Sequence, residues 1–467
     1  MSTSADASVA PPVEVRPPLP LTEQTIAARL ERLPYSRWHV RITIILGVAI
    51  FFDSFDSLAI AYVLPVIIRD WSIPPEQVGK LLSIANFGQA LGAFAFGWIA
   101  ERVGRVPAAR ITIALYAVMS FACAFAQNYD QLFWFRFVEG IGLGGEIPVA
   151  SSYISEILRA QRRGSSFLAY QMIFPVGLLG AALAGAVVVP SFGWRWMFII
   201  GAVPALIALA LRYLCPESPR WLACKGRLRE ADEIVTRIER IVSRNGARPL
   251  PPPPRIEAPP AAGSTRPHEL FEGRYVQRTL LVWVLWTSSY IISYGLQGWI
   301  PTLYRQVYHL TLQQSLNYAI AAPLGSVLGS LLCVFLIDRI GRRAWFIGAF
   351  LLSAVSLVGL WSIGARTALG MLLGYGFLSM WLGSMNMSIF LYTAEIYPTR
   401  MRALGVSWAS FWLRVAATVG PLVVGFGLPR YGIGGVFLIF SVFALTGTIA
   451  AIFMVETRGR VLEEVSP

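Results

Sequence analysis

Long apolar segments separated by short polar loops cover most of the 467 residues. An α-helix needs ~20 mostly apolar residues to cross a lipid bilayer, and each segment approaches or exceeds that length. The pattern predicts an all-α integral membrane protein with twelve membrane-spanning helices, at residues 40–64, 77–100, 108–127, 131–157, 164–188, 194–214, 277–300, 313–338, 342–364, 367–393, 401–426 and 430–454.

The chain repeats itself once. GWIAERVGR (97–105) returns as FLIDRIGR (335–342), YISEILRAQRRG (153–164) as YTAEIYPTRMRALG (392–405), and PESPR (216–220) as VETRG (455–459). The offset between matching residues stays between 237 and 239. Because duplicated helix bundles are a common design of secondary transporters, the repeat predicts two pseudo-symmetric six-helix bundles, at residues 39–214 and 277–454.

Three hydrophilic segments flank and join these bundles. Residues 1–38 are rich in Pro, Ala and Ser and are expected to form a disordered tail, and residues 455–467 a short C-terminal tail. Within the linker, residues 215–276, apolar positions recur at helical spacing over 226–242, which predicts one amphipathic helix. The Pro-rich run at 247–264 is typical of an extended spacer.

Composition and charge agree with a membrane protein. Hydrophobic residues make up 55% of the chain and charged residues 14%, whereas soluble domains are about 25% charged. The net charge is +13, and its arginines concentrate in every second short loop, which places both termini in the cytoplasm of a multi-pass inner-membrane protein. These arginines flank apolar segments and form no single patch, which disfavours nucleic-acid binding. Cysteine spacing indicates neither a metal site nor a disulfide framework, and no catalytic constellation or cofactor motif stands out, so we expect no enzyme.

Several motifs resemble those of the major facilitator superfamily. GWIAERVGR is similar to its loop motif between helices 2 and 3, with Glu101 where the family usually has Asp. RFVEGIGLGG is similar to its helix-4 motif with a buried arginine, and PESPRWL resembles the sugar-porter and metabolite–proton symporter branch. Sugar porters carry a paired glutamine motif on helix 7, of which TSSYIISYGLQGWIP keeps only Gln297. DSFD (53–56) resembles the two-aspartate pattern of aromatic-acid:proton symporters, and the motifs together look most like the nicotinate (niacin) transporter group.

Two carboxylates lie inside the first predicted helix. Asp53 and Asp56 are three residues apart and therefore share a helix face. An ionised Asp at the bilayer centre costs ~2.5–3.5 kcal/mol, so each is expected to be paired, protonated or facing water. Arg136 on helix 4 is their natural partner, and Glu139 and Glu146 follow it at helical spacing. We expect these residues to couple transport to protons, the alternative being a static ion pair.

One arginine lies deep in the second bundle. Arg414, near the middle of helix 11, has no counter-charge in its own helix, and an unpaired buried charge is strongly unfavourable. A guanidinium binds a carboxylate bidentately. Arg414 is therefore expected to bind an anionic substrate, or else to pair with a carboxylate of the first bundle. Aromatic faces with a few directed hydrogen bonds suit a flat polar ring, and the further candidates at this depth are Gln171, Tyr290, Tyr294, Gln297, Trp381 and Asn386.

The charged residues of the loop motifs form a second group. The resemblance implies that they make salt bridges between helices at the cytoplasmic surface, which latch the outward-facing state. Simple positive-inside topology is the alternative interpretation. The group comprises Glu101, Arg102, Arg105, Glu156 and Arg163 in the first bundle and Asp338, Arg339, Arg342, Glu395 and Arg402 in the second.

These features predict a proton-coupled secondary active transporter that works by alternating access, as a monomer in the lipid bilayer. Its leading substrate is nicotinate or a related aromatic monocarboxylate. The alternatives are other aromatic acids, sugars or polyols, and export of an organic cation or drug. A cation would be expected to meet Asp53, Asp56 or Glu146 in place of Arg414. A non-transporting sensor is disfavoured because no signalling domain is appended to the helices.

Overall fold

The computed structural model describes residues 21–158, 170–204, 206, 215–243, 249–254, 267–362 and 366–458. Regular structure within these residues is helical, without strands. Nine of the described helices are long and apolar enough to cross a membrane. They account for most of the predicted spans. The other predicted spans correspond to the helix Tyr129–Ile157, to the segment that begins with the helix Arg195–Gly201, and to the second part of the helix Thr399–Ile452.

A short helix, α1, precedes the first half of the molecule. The elements up to the linker are α1 (Glu23–Glu31), α2 (Arg37–Trp71), α3 (Pro75–Val103), α4 (Arg105–Ala124), α5 (Tyr129–Ile157), α6 (Ile173–Phe192) and α7 (Arg195–Gly201). The 29-residue α5 is long enough to cross a bilayer, although its buried charges make it less apolar than its neighbours. The sixth predicted span begins with α7 and continues into 207–214, which lie outside the described residues.

The linker and the second half follow. The linker contains α8 (Pro219–Cys224), α9 (Leu228–Val242) and a 3-10 turn, Pro267–Phe271. The second half contains α10 (Arg274–Gln297), α11 (Ile300–Gln306), α12 (Leu312–Ala319), α13 (Ala321–Ile340), α14 (Arg342–Ser362), α15 (Ala368–Ile396) and α16 (Thr399–Ile452). α16 holds two spans, because Gly432, with φ 64° and ψ 179°, interrupts its helical backbone. The predicted fold class, a twelve-helix membrane protein, is confirmed.

The two halves meet along α3 and α16, which run antiparallel; we call this contact the α3–α16 seam. Small residues bring the two backbones together at the end of the seam where α3 begins. A Cβ added to Gly79 would lie 2.9 Å from the carbonyl oxygen of Pro421 and 3.2 Å from Cα of Gly425. Small side chains permit this kind of close helix approach inside a membrane.

Further contacts between the halves occur along the seam and on other helix pairs. Nδ2 of Asn86 on α3 donates to the carbonyl oxygen of Ala417 on α16, at 3.1 Å. On a separate pair of helices, Nε2 of Gln313 on α12 in the second half donates to the carbonyl oxygen of Ala186 on α6 in the first, at 2.9 Å. α2 also packs against α11 at this end of the molecule.

The opposite end carries α1, α8, α9 and the turns at Gly104 and Gly341; we call it the terminal face. Here α1 packs on α8 and α9 through an apolar cluster that includes Ile26, Leu30, Trp221, Val235 and Ile238. Residues 1–38 were expected to be disordered, and the presence of α1 departs from that expectation. The predicted linker helix is observed as α9, whose apolar face provides the surface that α1 covers.

Charged hydrogen bonds surround this apolar cluster. Nη2 of Arg29 donates to Glu239 at 2.7 Å, and Nη2 of Arg32 donates to the same carboxylate at 2.6 Å. Arg29 also pairs with Asp232. Because Glu239 lies on α9 and both arginines precede α2, these contacts fasten the N-terminal segment to the linker.

Candidate functional site

A cavity of about 180 Å³ lies between the two halves. At ~15 Å³ for each water, it has room for roughly a dozen water molecules. Residues of α2, α3, α5, α6, α10, α13, α15 and α16 line it, together with Gln171, which precedes α6. Both halves therefore contribute to one central site.

Asp53 and Arg414 face this cavity from opposite halves. Asp53 is only 3% exposed, and it makes no hydrogen bond or ion pair within the described part of the chain. The charges of the two side chains interact electrostatically across the cavity. Nη1 of Arg414 donates a hydrogen bond to Oε1 of Gln89 on α3.

Asp56 lies in a different environment, although it is less than one helical turn from Asp53. Its Oδ2 accepts from Nη1 of Arg136 at 2.8 Å, and its Oδ1 accepts from Oγ of Ser120 at 2.9 Å. The same Nη1 donates to Oε2 of Glu139 at 2.7 Å. The structure thus pairs Arg136 with Asp56, and not with Asp53, in a buried cluster of which only Arg136 lines the cavity.

Glu146 is buried within the first half and is not among the residues that line the cavity. The hydroxyl of Tyr170 lies 3.4 Å from its Oε1, and its Oε2 has no partner among the described residues. Of the five residues predicted for proton coupling, Asp53 and Arg136 line the cavity, and Asp56, Glu139 and Glu146 lie behind it.

The predicted substrate-binding residues divide in a similar way. Gln171, Tyr290, Tyr294 and Gln297 line the cavity. Asn386 also lines it, but its side-chain amide forms hydrogen bonds with residues of α10. Its Oδ1 accepts from Ser289 at 2.7 Å, and its Nδ2 donates to Ser293 at 3.0 Å.

Trp381 does not line the cavity. It packs instead beside Trp345 and Phe377, with ring centroids 6.2 and 5.9 Å away. Asn386 follows five residues later on α15, and five residues turn a helix by about 140°, so the two side chains leave α15 on different faces.

Sequence reasoning missed two amides in the cavity wall, Asn86 and Gln89. They are three residues apart on α3 and share one face of an otherwise largely apolar helix. The spacing of two amides on an apolar helix could have predicted that this face of α3 lines a polar cavity. Their partners on α16 could not be identified from the sequence, because nothing in it gives the register of two helices more than 300 residues apart.

The loop motifs form the same structure in both halves. Arg105 pairs with Glu101 and Glu156, each at 2.8 Å. Its second-half equivalent, Arg342, pairs with Asp338 at 2.6 Å and Glu395 at 2.9 Å. Each arginine thus finds these partners in its own half, so the bridges brace the ends of neighbouring helices within a half.

Two further carboxylates complete these motifs, and the sequence analysis did not assign them a role. Glu217 accepts from the backbone N–H of Arg105 at 3.0 Å, and Glu456 accepts from that of Arg342 at 2.9 Å. Gly104 and Gly341 precede the two arginines with φ of 110° and 101°. A side chain at Gly341 would also collide with Glu456, 2.7 Å away, so both conformation and space favour glycine.

The remaining loop-motif residues make fewer contacts. The guanidinium of Arg102 lies 3.8 Å from the ring centroid of Trp98. Arg339 is exposed and Arg402 is half-buried. Arg163 lies outside the described residues. No group of three His, Cys, Asp or Glu residues that could hold a metal ion occurs in the part of the chain that the structure covers.

Comparison with known proteins identifies the family. Residues 72–467 match the family described as "Sugar (and other) transporter". The chain belongs to this family. It is therefore a membrane transporter of the major facilitator superfamily, as its motifs suggested, and not an enzyme.

The names of two relatives of this transporter refer to aromatic acids. The niacin transporter NiaP of Acinetobacter baylyi is 32% identical over 94% of this chain and 99% of its own length. The 4-hydroxybenzoate transporter PcaK of the same organism is 29% identical over 84% of this chain and 86% of its own. Among solved structures, the xylose transporter XylE from E. coli, partially occluded and inward open, superimposes with a TM-score of 0.69 at 19% identity, covering 91% of this chain and all of XylE. That likeness supports the fold.

Proposed function

We propose that this transporter imports a small aromatic monocarboxylate, with nicotinate as the leading candidate, together with protons. The observation that carries the proposal is the position of Arg414. Its guanidinium lines the central cavity, and its one hydrogen-bond partner from another helix, in the described part of the chain, is the neutral amide of Gln89. A carboxylate would bind this guanidinium more strongly than an amide does.

The surroundings of Arg414 suit a flat ring. Tyr290 and Tyr294 line the same cavity from α10, with ring centroids 6.1 Å apart. Aromatic faces next to a single cation favour an aromatic carboxylate over a sugar, which needs many hydrogen-bonding groups and no cation. The names of the relatives NiaP and PcaK support the same class of substrate.

Proton coupling is proposed for Asp53. Asp53 and Arg414 line the same cavity, and a positive charge near a buried carboxylate favours its ionised form. An anion bound to Arg414 would cancel that charge, and Asp53 would then be expected to take up a proton. Anion and proton would therefore bind together, which is the requirement for symport.

We assign the terminal face to the cytoplasm, because its loops carry most of the arginines. The halves touch at the other end, through the Gly79 end of the α3–α16 seam and the Gln313–Ala186 contact. The cavity would then communicate with the cytoplasm, and rocking of the halves about it would give alternating access. The salt bridges of the loop motifs would hold each half rigid during this motion.

Uptake of labelled nicotinate and 4-hydroxybenzoate into cells that express the protein tests this proposal. We expect accumulation that a protonophore abolishes. Arg414→Gln should lower uptake at least tenfold, by analogy with the loss of a charged hydrogen bond, and Arg414→Lys should keep part of it. Arg430→Gln, which removes an exposed arginine of the same helix, is the matched control. Equal transport of uncharged nicotinamide, or unchanged uptake by Arg414→Gln, would contradict the proposal.

A further inference from the structure

We propose that Gln89 is a built-in stand-in for the substrate carboxylate: it holds Arg414 while the site is empty and releases it when the anion binds. This inference rests on the proposed function, because it presupposes an anionic substrate. It adds a positioning residue and a link between site occupancy and the contact between the halves.

The geometry of Gln89 is the first step. Its side chain is 5% exposed and belongs to the wall of the cavity. Its Oε1 accepts the hydrogen bond from Nη1 of Arg414. The amide oxygen thus accepts from an N–H group of Arg414 that a substrate carboxylate would also use. The substrate and Gln89 therefore compete for the same guanidinium.

The chemistry of an amide fits this role. A neutral carbonyl oxygen satisfies a buried guanidinium donor, which would otherwise be costly to leave unpaired. It still binds a cation more weakly than a carboxylate does, because a carboxylate adds charge and can bind bidentately. A glutamate in this place would make a lasting ion pair, and an apolar residue would leave Arg414 without this partner.

The position of Gln89 along the seam connects this exchange to the two halves. Gly79 lies against Gly425, Asn86 binds Ala417, Gln89 binds Arg414, and Phe94 lies beside Phe411, 6.4 Å between ring centroids. Residue numbers rise on α3 as they fall on α16, as antiparallel helices require. The Gln89–Arg414 bond is therefore one contact in a row that joins first half to second.

The consequence is a change in the seam on binding. When an anion takes Arg414, the halves lose a side-chain contact near the middle of the row, while the contacts at Gly79 and Asn86 remain. A ligand shifts a conformational equilibrium only if it interacts differently with the two states. Loss of the Gln89 contact supplies such a difference.

Binding of labelled nicotinate and 4-hydroxybenzoate to purified protein tests this inference. In Gln89→Leu the competitor is gone, and we expect dissociation constants about tenfold lower, as the loss of one hydrogen bond to a charged group predicts, with a maximal transport rate that falls because the contact between halves is missing. Gln89→Asn, whose shorter amide cannot reach as far, should shift both quantities in the same direction. Gln89→Glu should weaken binding at least tenfold.

Asn86→Leu provides the matched control. It removes the neighbouring hydrogen bond of the seam to Ala417 and leaves the Gln89–Arg414 bond in place, so we expect no tighter binding. Unchanged or weaker binding by a folded Gln89→Leu, or equal tightening by Asn86→Leu, would overturn the role of Gln89 while leaving the proposed substrate intact. If the wild-type protein binds neither carboxylate, the proposed substrate class itself is wrong, and the role of Gln89 is wrong with it.

Discussion

Asp56 and Arg136 form an ion pair of 2.8 Å between α2 and α5, and both side chains are at most 2% exposed. Asp53 lies on the same helix, close to Asp56, yet faces the cavity without such a partner. The sequence presented the two aspartates as equivalent. The structure separates them into a carboxylate held inside the first half and one that is available to the cavity.

Replacement of Asp56 by alanine should destabilise the protein. Removal of one partner from a buried ion pair costs about 3–5 kcal/mol, and we expect the lower end because Glu139 still binds Arg136. The midpoint of thermal unfolding in detergent measures this effect. Asp70→Ala, at the exposed end of the same helix, should change stability by less than about 0.5 kcal/mol. Equal stability of the two variants would show that the buried pair contributes little.

Replacement of Asp53 by asparagine should separate exchange from accumulation. The amide keeps the size of the side chain but cannot bind or release a proton. We expect accumulation driven by a pH gradient to disappear, while exchange of labelled for unlabelled substrate continues. Both are measured in proteoliposomes, with an imposed pH gradient for the first and none for the second. Undiminished accumulation would exclude Asp53 from coupling.

Replacement of Gly79 by valine should disturb the contact between the halves. Its Cβ would lie 2.9 Å from the carbonyl oxygen of Pro421, and overpacking of this kind costs about 1–3 kcal/mol. The cost applies only where the halves touch, so the variant should favour conformations in which this end of the seam is open. Distances between spin labels on the two halves measure the shift. Gly97→Val is the control, because a Cβ there meets nothing within 4 Å.

The attachment of α1 should depend on pH. Burial acts to raise the pKa of Glu239, but the hydrogen bonds from Arg29 and Arg32 outweigh it and hold this pKa below its ordinary value. A lowered carboxylate pKa stabilises the docked helix above the unfolded value of about 4.3, and that stabilisation is lost as the pH falls through the folded pKa.

We therefore expect α1 to remain docked at neutral pH and to detach only in acid, at pH values below the ordinary carboxylate pKa of about 4.3. The distance between labels on α1 and α9 reports detachment. In Glu239→Gln the charged contacts of Glu239 with Arg29 and Arg32 are absent at every pH while the Arg29–Asp232 pair remains, so α1 should already be loosened at neutral pH, with a smaller response to acid. A docked α1 in both proteins at low pH would assign its attachment to the apolar cluster alone.

The sequence predicted those features that depend on composition along one helix. Hydropathy located the spans, and the repeat located equivalent loop residues such as Arg105 and Arg342. The features that it missed depend on contacts between distant segments. Gln89 is neutral and carries no charge signal, and α1 is a nine-residue helix that needs the apolar face of α9 to be stable. Asp53 faces the cavity and Asp56 faces Arg136 because of the rotation of α2 relative to α5. No local sequence pattern specifies that rotation.

Leu250 also packs against the apolar cluster of α1, α8 and α9, so the connection between the halves begins there and not at the end of α7. Residues 251–266 then connect Leu250 to Pro267, over a distance of at most about 60 Å even for a fully extended chain. A tether this short keeps each half at a local concentration of the order of millimolar around the other. In the proposed alternating-access cycle, halves that part on one side of the membrane would therefore reunite in an intramolecular reaction, without a diffusional search.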